Sequence, residues 1–241
     1  MPNISSFNYK LMLKGVFEDT FFISCFYNDK YEKEVVKLVD SITAEGAYGY
    51  TDKNFDVTVK ENDIVIDAGA WAGDFGAYCA SKAAVCYSFE PVKEIYDWLC
   101  LTAKLNNDKI IPINKALGDK NEYTQIKLAF EGSTAGTISE DNETGETVSM
   151  VTLDSFVRSQ NLKRVDFIKS DIEGFERNLL EGARETLKRF APKLAICTYH
   201  LPDDPEVLSK IIKNANPEYT IVQMKHKLFA AVIDRENGKY N

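Results

Sequence analysis

Ile64-Val65-Ile66-Asp67-Ala68-Gly69-Ala70-Trp71-Ala72-Gly73-Asp74-Phe75-Gly76 is an apolar run that passes into a glycine-bearing turn and then into a helical segment. A short, almost wholly apolar run bounded by glycine is the pattern of a strand buried on both faces. Gly69 and Gly73 let the chain turn sharply and bring its backbone close to a bound molecule, which a Cβ would obstruct. Strand, glycine turn and helix together open a βαβ unit, and sheets built from such units bind ligands at the carboxyl ends of their strands.

Working outward, similar runs predict strands at Ile64–Ala68, Val85–Glu90, Ile110–Lys115, Val165–Ser170 and Leu194–Tyr199. Helices are predicted near Asp74–Lys82, Val92–Leu105, Phe175–Arg189 and Pro205–Asn214. The alternation predicts a doubly wound, mostly parallel α/β sheet. It is broken between Gln125 and Leu153, where two strands flank the small-residue loop Glu131–Thr137. The chain then ends in two apolar runs, Tyr219–Met224 and Leu228–Ile233, around a Lys-His-Lys turn, which predicts an antiparallel hairpin at the edge of the sheet. Residues 1–50 are rich in aromatics, and Glu32–Val39 carries a helical apolar stripe; they read as an N-terminal helical cap, with 51–241 as the main domain.

The composition excludes several classes. With 44% hydrophobic and 27% charged residues, the 241-residue chain is ordinary for a globular protein. A net charge of -8 repels phosphate backbones and anionic membrane surfaces, so no nucleic acid and no membrane partner is expected. The N-terminus lacks the pattern of a signal peptide, and no run approaches a membrane span, so a soluble cytoplasmic protein is expected. Cys25, Cys79, Cys86, Cys100 and Cys197 have no paired spacing and read as reduced thiols. With only His200 and His226 as histidines, no zinc signature is present, and no metal site is assigned.

The first loop suits a particular ligand. Asp67, at the end of the first core strand, can take a bond from an ammonium, and the helix start offers amides to a carboxylate; together they suit an amino acid moiety. Glu90, ending the second strand before Pro91, is placed to accept ribose hydroxyls. A nicotinamide cofactor is the rival, but Trp71 stands where the second glycine of G-x-G-x-x-G would be. Tyr78 and Lys82 have the Tyr-x-x-x-Lys form of a dehydrogenase pair, yet they fall in the first helix, far from where such a pair works.

The chain resembles the FkbM family of methyltransferases. The resemblance rests on Asp67-Ala68-Gly69-Ala70 with Gly73, Phe89-Glu90-Pro91, Ala116-Leu117-Gly118-Asp119, Thr152-Leu153-Asp154-Ser155 and Ile168–Glu176, in order across residues 60 to 200. It departs from the family at Trp71, where asparagine is more usual, and the first fifty residues carry no family motif. The resemblance implies a class I (Rossmann-like) methyltransferase that uses S-adenosylmethionine and acts on a hydroxyl of a sugar or secondary metabolite. On this reading Asp67, Gly69, Ala70, Trp71, Gly73, Glu90 and Pro91 hold the donor, and Ala116 and Leu117 flank its adenine. Asp171 and His200 end neighbouring strands and can form an acid/base pair beside the acceptor. Glu173 is a candidate substrate contact, and Glu176 a structural charge at the helix start. The N-terminal segment, with Tyr48 and Tyr50, would supply a lid or a homodimer contact. An NAD(P)-dependent oxidoreductase and a non-catalytic cofactor-binding partner protein are the alternatives.

Overall fold

The computed structural model describes residues 48–233, except 81, 83–84, 107–108, 129–135 and 140–144, together with two short strands further upstream. The predicted helix at 32–39, most of the N-terminal cap and Cys25 lie outside the described residues. The upstream strands, β1 (Leu13–Lys14) and β2 (Thr20–Phe21), pair antiparallel. A second small hairpin, β3 (Tyr50–Thr51) and β4 (Asp56–Val57), leads into the central sheet.

That sheet contains β5 (Ile64–Ala68), β6 (Val85–Phe89), β7 (Ile110–Ile113), β12 (Phe167–Ser170), β13 (Lys193–Cys197), β14 (Tyr219–Gln223) and β15 (Lys227–Val232). Its spatial order is β14-β15-β13-β12-β5-β6-β7. The five strands from β13 to β7 run parallel, and β15 joins β13 antiparallel, so the predicted terminal hairpin closes one edge. The order reverses direction between β5 and β12, which is where such a sheet opens a crevice.

Both faces are covered, as apolar runs without alternation require. Ile66, Ile168, Leu194 and Ile196 pack on one face with Leu179, Leu187 and Leu208. Val65, Phe167 and Ala195 face the other side with Phe55, Val57 and Phe75. The helices bordering the sheet are α1 (Asp74–Ala80), α2 (Lys93–Leu105), α3 (Leu153–Ser159), α4 (Glu176–Glu181), α5 (Arg184–Phe190) and α6 (Asp204–Ala215). Among the described residues no helix is long and apolar enough to cross a membrane. Cys79, Cys86 and Cys197 are buried and Cys100 is partly buried, all as free thiols.

Two departures from the predicted elements have physical causes. The single helix predicted over Phe175–Arg189 is two, because Gly182 packs against the Gly118 carbonyl, where a Cβ would stand 2.0 Å from the oxygen. Asp154 then caps the second piece, accepting hydrogen bonds from the Glu185 and Thr186 amides at 2.9 and 2.8 Å. Around the break predicted between Gln125 and Leu153 the chain forms a second sheet, which begins earlier, at Ala116, in the order β10-β9-β11-β8, from β8 (Ala116–Leu117), β9 (Glu122–Leu128), β10 (Gly136–Ser139) and β11 (Glu146–Val151). Helix α3 follows directly, with Thr152 Oγ1 accepting from the Ser155 amide at 3.1 Å.

Candidate active site

A cleft opens over the carboxyl ends of β5, β6 and β12, where the sheet order reverses. Its wall includes Gly69, Trp71, Glu90, Pro91, Ala116, Leu117, Lys169 and Asp171. The turn after β5 is fastened to the second strand by Gly69 and Ala70 amides, which donate to the Phe89 carbonyl at 3.2 and 2.9 Å. Gly69 (φ 75°) and Gly73 (φ 91°) take conformations that favour glycine, and a Cβ on Gly69 would lie 1.9 Å from the Asp171 carbonyl oxygen. The missing side chain lets the turn lie against the end of β12, which the Asp171 amide fastens to the Ala68 carbonyl at 3.1 Å. Ala70 and Gly73 shape the turn from behind the wall rather than line it.

Glu90 is buried at the end of β6. Its Oε2 accepts from the Trp71 amide at 3.1 Å and its Oε1 from the Val92 amide at 2.9 Å. Burial, only partly offset by those two donors and the Lys169 ammonium, pushes its carboxyl up to about 7. Each oxygen keeps a second acceptor site free. Beside it, the Trp71 indole lines the cleft with its buried Nε1 lacking a hydrogen-bond partner. Trp71 has φ 47°, a left-handed conformation uncommon for a bulky residue. Ala116 and Leu117 of β8 form the far wall.

Asp67 differs from its expected placement. The sheet register sets Lys169 directly opposite it, and the Lys169 ammonium lies 3.0 Å from Asp67 Oδ1, with both side chains almost fully buried. Ser88, across from Asp67 on the other side, offers its hydroxyl at 3.4 Å. The ammonium expected on Asp67 is therefore supplied by the chain itself, and Asp67 is not on the cleft wall. Lys169 also donates to the Gly69 carbonyl at 2.6 Å. Burial works against its charge, but Asp67, Asp171 and Asp74 outweigh that and hold its pKa above the ordinary lysine value. The acid that does line this part of the cleft is Asp74, whose carboxyl burial pushes up to about 6. In the sequence Asp74 only begins the helix predicted near Asp74–Lys82. Lys169 left a faint signal, a cation inside an otherwise apolar strand, which is rare unless paired.

Asp171 follows β12 and is the meeting point of the acceptor side. Tyr48 donates to its Oδ2 and Tyr199 to its Oδ1, each at 2.8 Å. Burial pushes its carboxyl up, but the Lys169 ammonium and the two tyrosines more than offset this, so its pKa lies below the usual carboxylate value. Burial of the phenols, with the same carboxylate beside them, pushes both tyrosines up, so they remain protonated donors.

His200 sits behind Asp171 and is not on the cleft wall. Its Nε2 is 3.7 Å from Asp171 Oδ1 and 3.5 Å from Glu173 Oε2, and its Nδ1 is 3.2 Å from Glu176 Oε1; these are ion-pair contacts without aligned hydrogen bonds. Burial acts to lower its pKa, but Glu173, Glu176 and Asp171 outweigh it and raise it to about 10. The imidazole thus already carries its proton at neutral pH, which removes it as a base and makes it a cation that gathers three carboxylates. Glu176, fully buried, accepts from the Ile172 and Gly174 amides at 2.8 and 3.1 Å and so shapes the loop from which Glu173 reaches the cleft. Asp171, Glu176 and His200 present ligand atoms within 4.8 Å of one another, the set that could hold a cation among the described residues. Glu176 already serves two amides there.

The strand order, the antiparallel edge hairpin and a cleft at the reversal define a class I, Rossmann-like methyltransferase fold. Residues 62–227 match the methyltransferase FkbM domain, and the chain belongs to that family. It is 24% identical over 181 residues to hexuronic acid methyltransferase AglP of Haloferax volcanii, covering 74% of this chain and 73% of that one. Among solved structures, a methyltransferase FkbM from Methylobacillus flagellatus KT superposes with a TM-score of 0.57 at 20% identity. That match covers 76% of this chain and 47% of the other, so this chain spans about half of it.

Proposed function

We propose that the chain transfers a methyl group from S-adenosylmethionine to a hydroxyl of a sugar or a sugar-like metabolite. The observation that carries this reading is Glu90, buried at the end of β6 with its oxygens on the Trp71 and Val92 amides, in the wall of the same cleft as Asp171. The donor side fits an adenosyl amino acid. Glu90 has two free acceptor sites for vicinal ribose hydroxyls, and Ala116 and Leu117 offer an apolar wall to a purine. Asp74, rather than Asp67, is the carboxylate available to an ammonium. The sugar acceptor is supported by the relative whose name records hexuronic acid as its substrate.

The bound donor would supply a methyl group on a sulfonium, ready for in-line displacement. The chain's part is alignment and proton handling. Gly69 and Gly73 fix the turn that positions the donor; Asp171 receives or orients the acceptor hydroxyl proton at a carboxylate oxygen; Tyr48 and Tyr199 hold that carboxylate in place. His200 keeps Asp171 and Glu173 together as a fixed positive charge. The test is calorimetric titration with S-adenosylhomocysteine, followed by transfer of labelled methyl from S-adenosylmethionine to a panel of sugars. One-site binding that Glu90→Ala removes is expected, and absence of binding by the folded chain would overturn the reading.

A further inference from the structure

The His200 side chain is 9% exposed, yet neither of its ring nitrogens makes a hydrogen bond. Polar atoms this deep in a folded chain are bonded as a rule. Around the ring stand three carboxylates: Asp171 after β12, Glu173 in the loop that follows, and Glu176 at the start of α4. Nε2 lies 3.7 Å from Asp171 Oδ1 and 3.5 Å from Glu173 Oε2. Those separations are long for hydrogen bonds. They match neighbouring donors around one small ion, since atoms each about 2.1 Å from a metal stand roughly 3.0–3.4 Å apart in octahedral or tetrahedral arrangement. Among the described residues no lysine or arginine makes an ion pair with any of the three acids, so a single imidazole faces three negative charges.

The acids divide by what else they hold. Glu176 is occupied: Oε1 accepts from the Ile172 amide and lies 3.2 Å from His200 Nδ1, and Oε2 accepts from the Gly174 amide. A carboxylate so placed takes the second N–H of a metal-bound histidine and sets the direction of its ring. Nε2 is then left to Asp171 and Glu173, and both of these line the cleft, Glu173 with 42% of its side chain exposed, so an ion can enter from that side. We infer that Asp171, Glu173 and His200 Nε2 are the protein ligands of a divalent cation at the acceptor edge of the cleft, with Glu176 as the orienting carboxylate. Two carboxylates and one imidazole suit Mn2+ and its first-row neighbours better than Ca2+, and three protein ligands leave positions open toward the cleft. In the metal-free chain the imidazolium supplies the charge that the carboxylates share; its Nε2 proton leaves to solvent as the ion binds. An ion there would take acceptor oxygens and make a bound hydroxyl easier to deprotonate. The sequence assigns no metal because the acids and the histidine follow different strands.

The experiment titrates the metal-stripped full chain with Mn2+ and follows the paramagnetic resonance signal of the free aquo ion, for the native sequence, Glu173→Gln, His200→Gln and Glu206→Gln. One ion per chain is expected, bound about tenfold or more weakly by Glu173→Gln and by His200→Gln. Glu206, an exposed acid on α6, is the control, and its variant should bind as the native chain does. Glu173 is exposed enough that its substitution spares the fold, which circular dichroism checks, so the test stands even where His200→Gln unfolds. No saturable binding by the native chain overturns the site. So do several weakly held ions indifferent to Glu173→Gln, the behaviour of surface acids on a chain of net charge -8. Neither methyl donor nor acceptor is present, so this outcome is separate from that of the S-adenosylhomocysteine titration.

Discussion

Tyr48 donates its hydroxyl to Asp171 Oδ2 at 2.8 Å across 123 positions of sequence, tying the segment ahead of the first core strand to the carboxylate at the end of β12. A neutral donor on a buried carboxylate is a charge-assisted bond, worth about 1.5–3 kcal/mol. Tyr48→Phe keeps the ring under Lys227 and against Phe75 but removes that bond. We expect kcat for methyl transfer to fall about tenfold or more, with S-adenosylhomocysteine affinity changing less than about twofold. Steady-state kinetics beside calorimetry check this; an equal loss in both would place Tyr48 on the donor side.

Glu90 gives donor binding a pH dependence. Its carboxyl titrates at about 7 in the free chain, raised by burial, and only the ionised form accepts from both ribose hydroxyls. Lowering the pH through that value protonates it, so affinity must fall on the acid side. Between pH 8 and pH 6 the dissociation constant for S-adenosylhomocysteine should rise roughly tenfold, as expected for one coupled proton. In Glu90→Ala the affinity is low at both values and the slope shrinks to the smaller one that Asp74, pushed up to about 6, contributes.

His200 acts on stability in the opposite direction. Its folded value of about 10 lies above the ordinary imidazole value, so its contribution is fully present below about 6.5 and is lost as pH rises toward 10. Solvent at the rim of the cluster screens the effect, leaving on the order of 2 kcal/mol rather than what the whole shift implies. Denaturant unfolding at pH 7 and pH 10 should show this loss in the native chain, whereas His200→Gln should be less stable at pH 7 and nearly flat between the two.

Lys169 and Asp67 form a pair whose members cannot be removed singly. Lys169→Met leaves the Asp67 carboxylate in the core without its cation, a change that costs about 3–5 kcal/mol. The double variant Lys169→Met, Asp67→Leu removes both charges and should recover most of that loss in chemical denaturation. Recovery smaller than about 1 kcal/mol would mean that the carbonyl contacts of Lys169, rather than its charge, hold the turn.

The sheet could be read from the chain because its strands are apolar runs of the right length, and a buried parallel strand needs nothing else. Its terminal hairpin was equally plain at Tyr219–Met224 and Leu228–Ile233. Pairings between distant strands were not readable. Asp67 meets Lys169 because of a register between β5 and β12, and no local pattern encodes a register. For the same reason the charge of His200 escaped notice: it depends on Glu173 and Glu176 being folded back beneath it by a loop with Glu173 at φ 56° and Gly174 at φ 97°. The Thr152–Ser155 motif was visible as a motif, yet its work is to cap two helices, one of them 30 residues on in sequence. At position 71 the backbone takes φ 47°, a left-handed conformation that asparagine enters at lower cost than tryptophan.

β8 belongs to two structures at once. Ala116 and Leu117 form a wall of the cleft, yet their backbone partners are Met150 and Val151 of the small sheet, and the Gly118 amide continues that ladder to the Val151 carbonyl at 3.1 Å. The wall is therefore hydrogen-bonded to the small sheet while the Leu117 side chain packs into the core under the parallel one. A ligand that grips Ala116 and Leu117 would slow amide exchange along β9 and β11, strands it never touches, and anything that loosens those strands would be felt as weaker binding in the cleft.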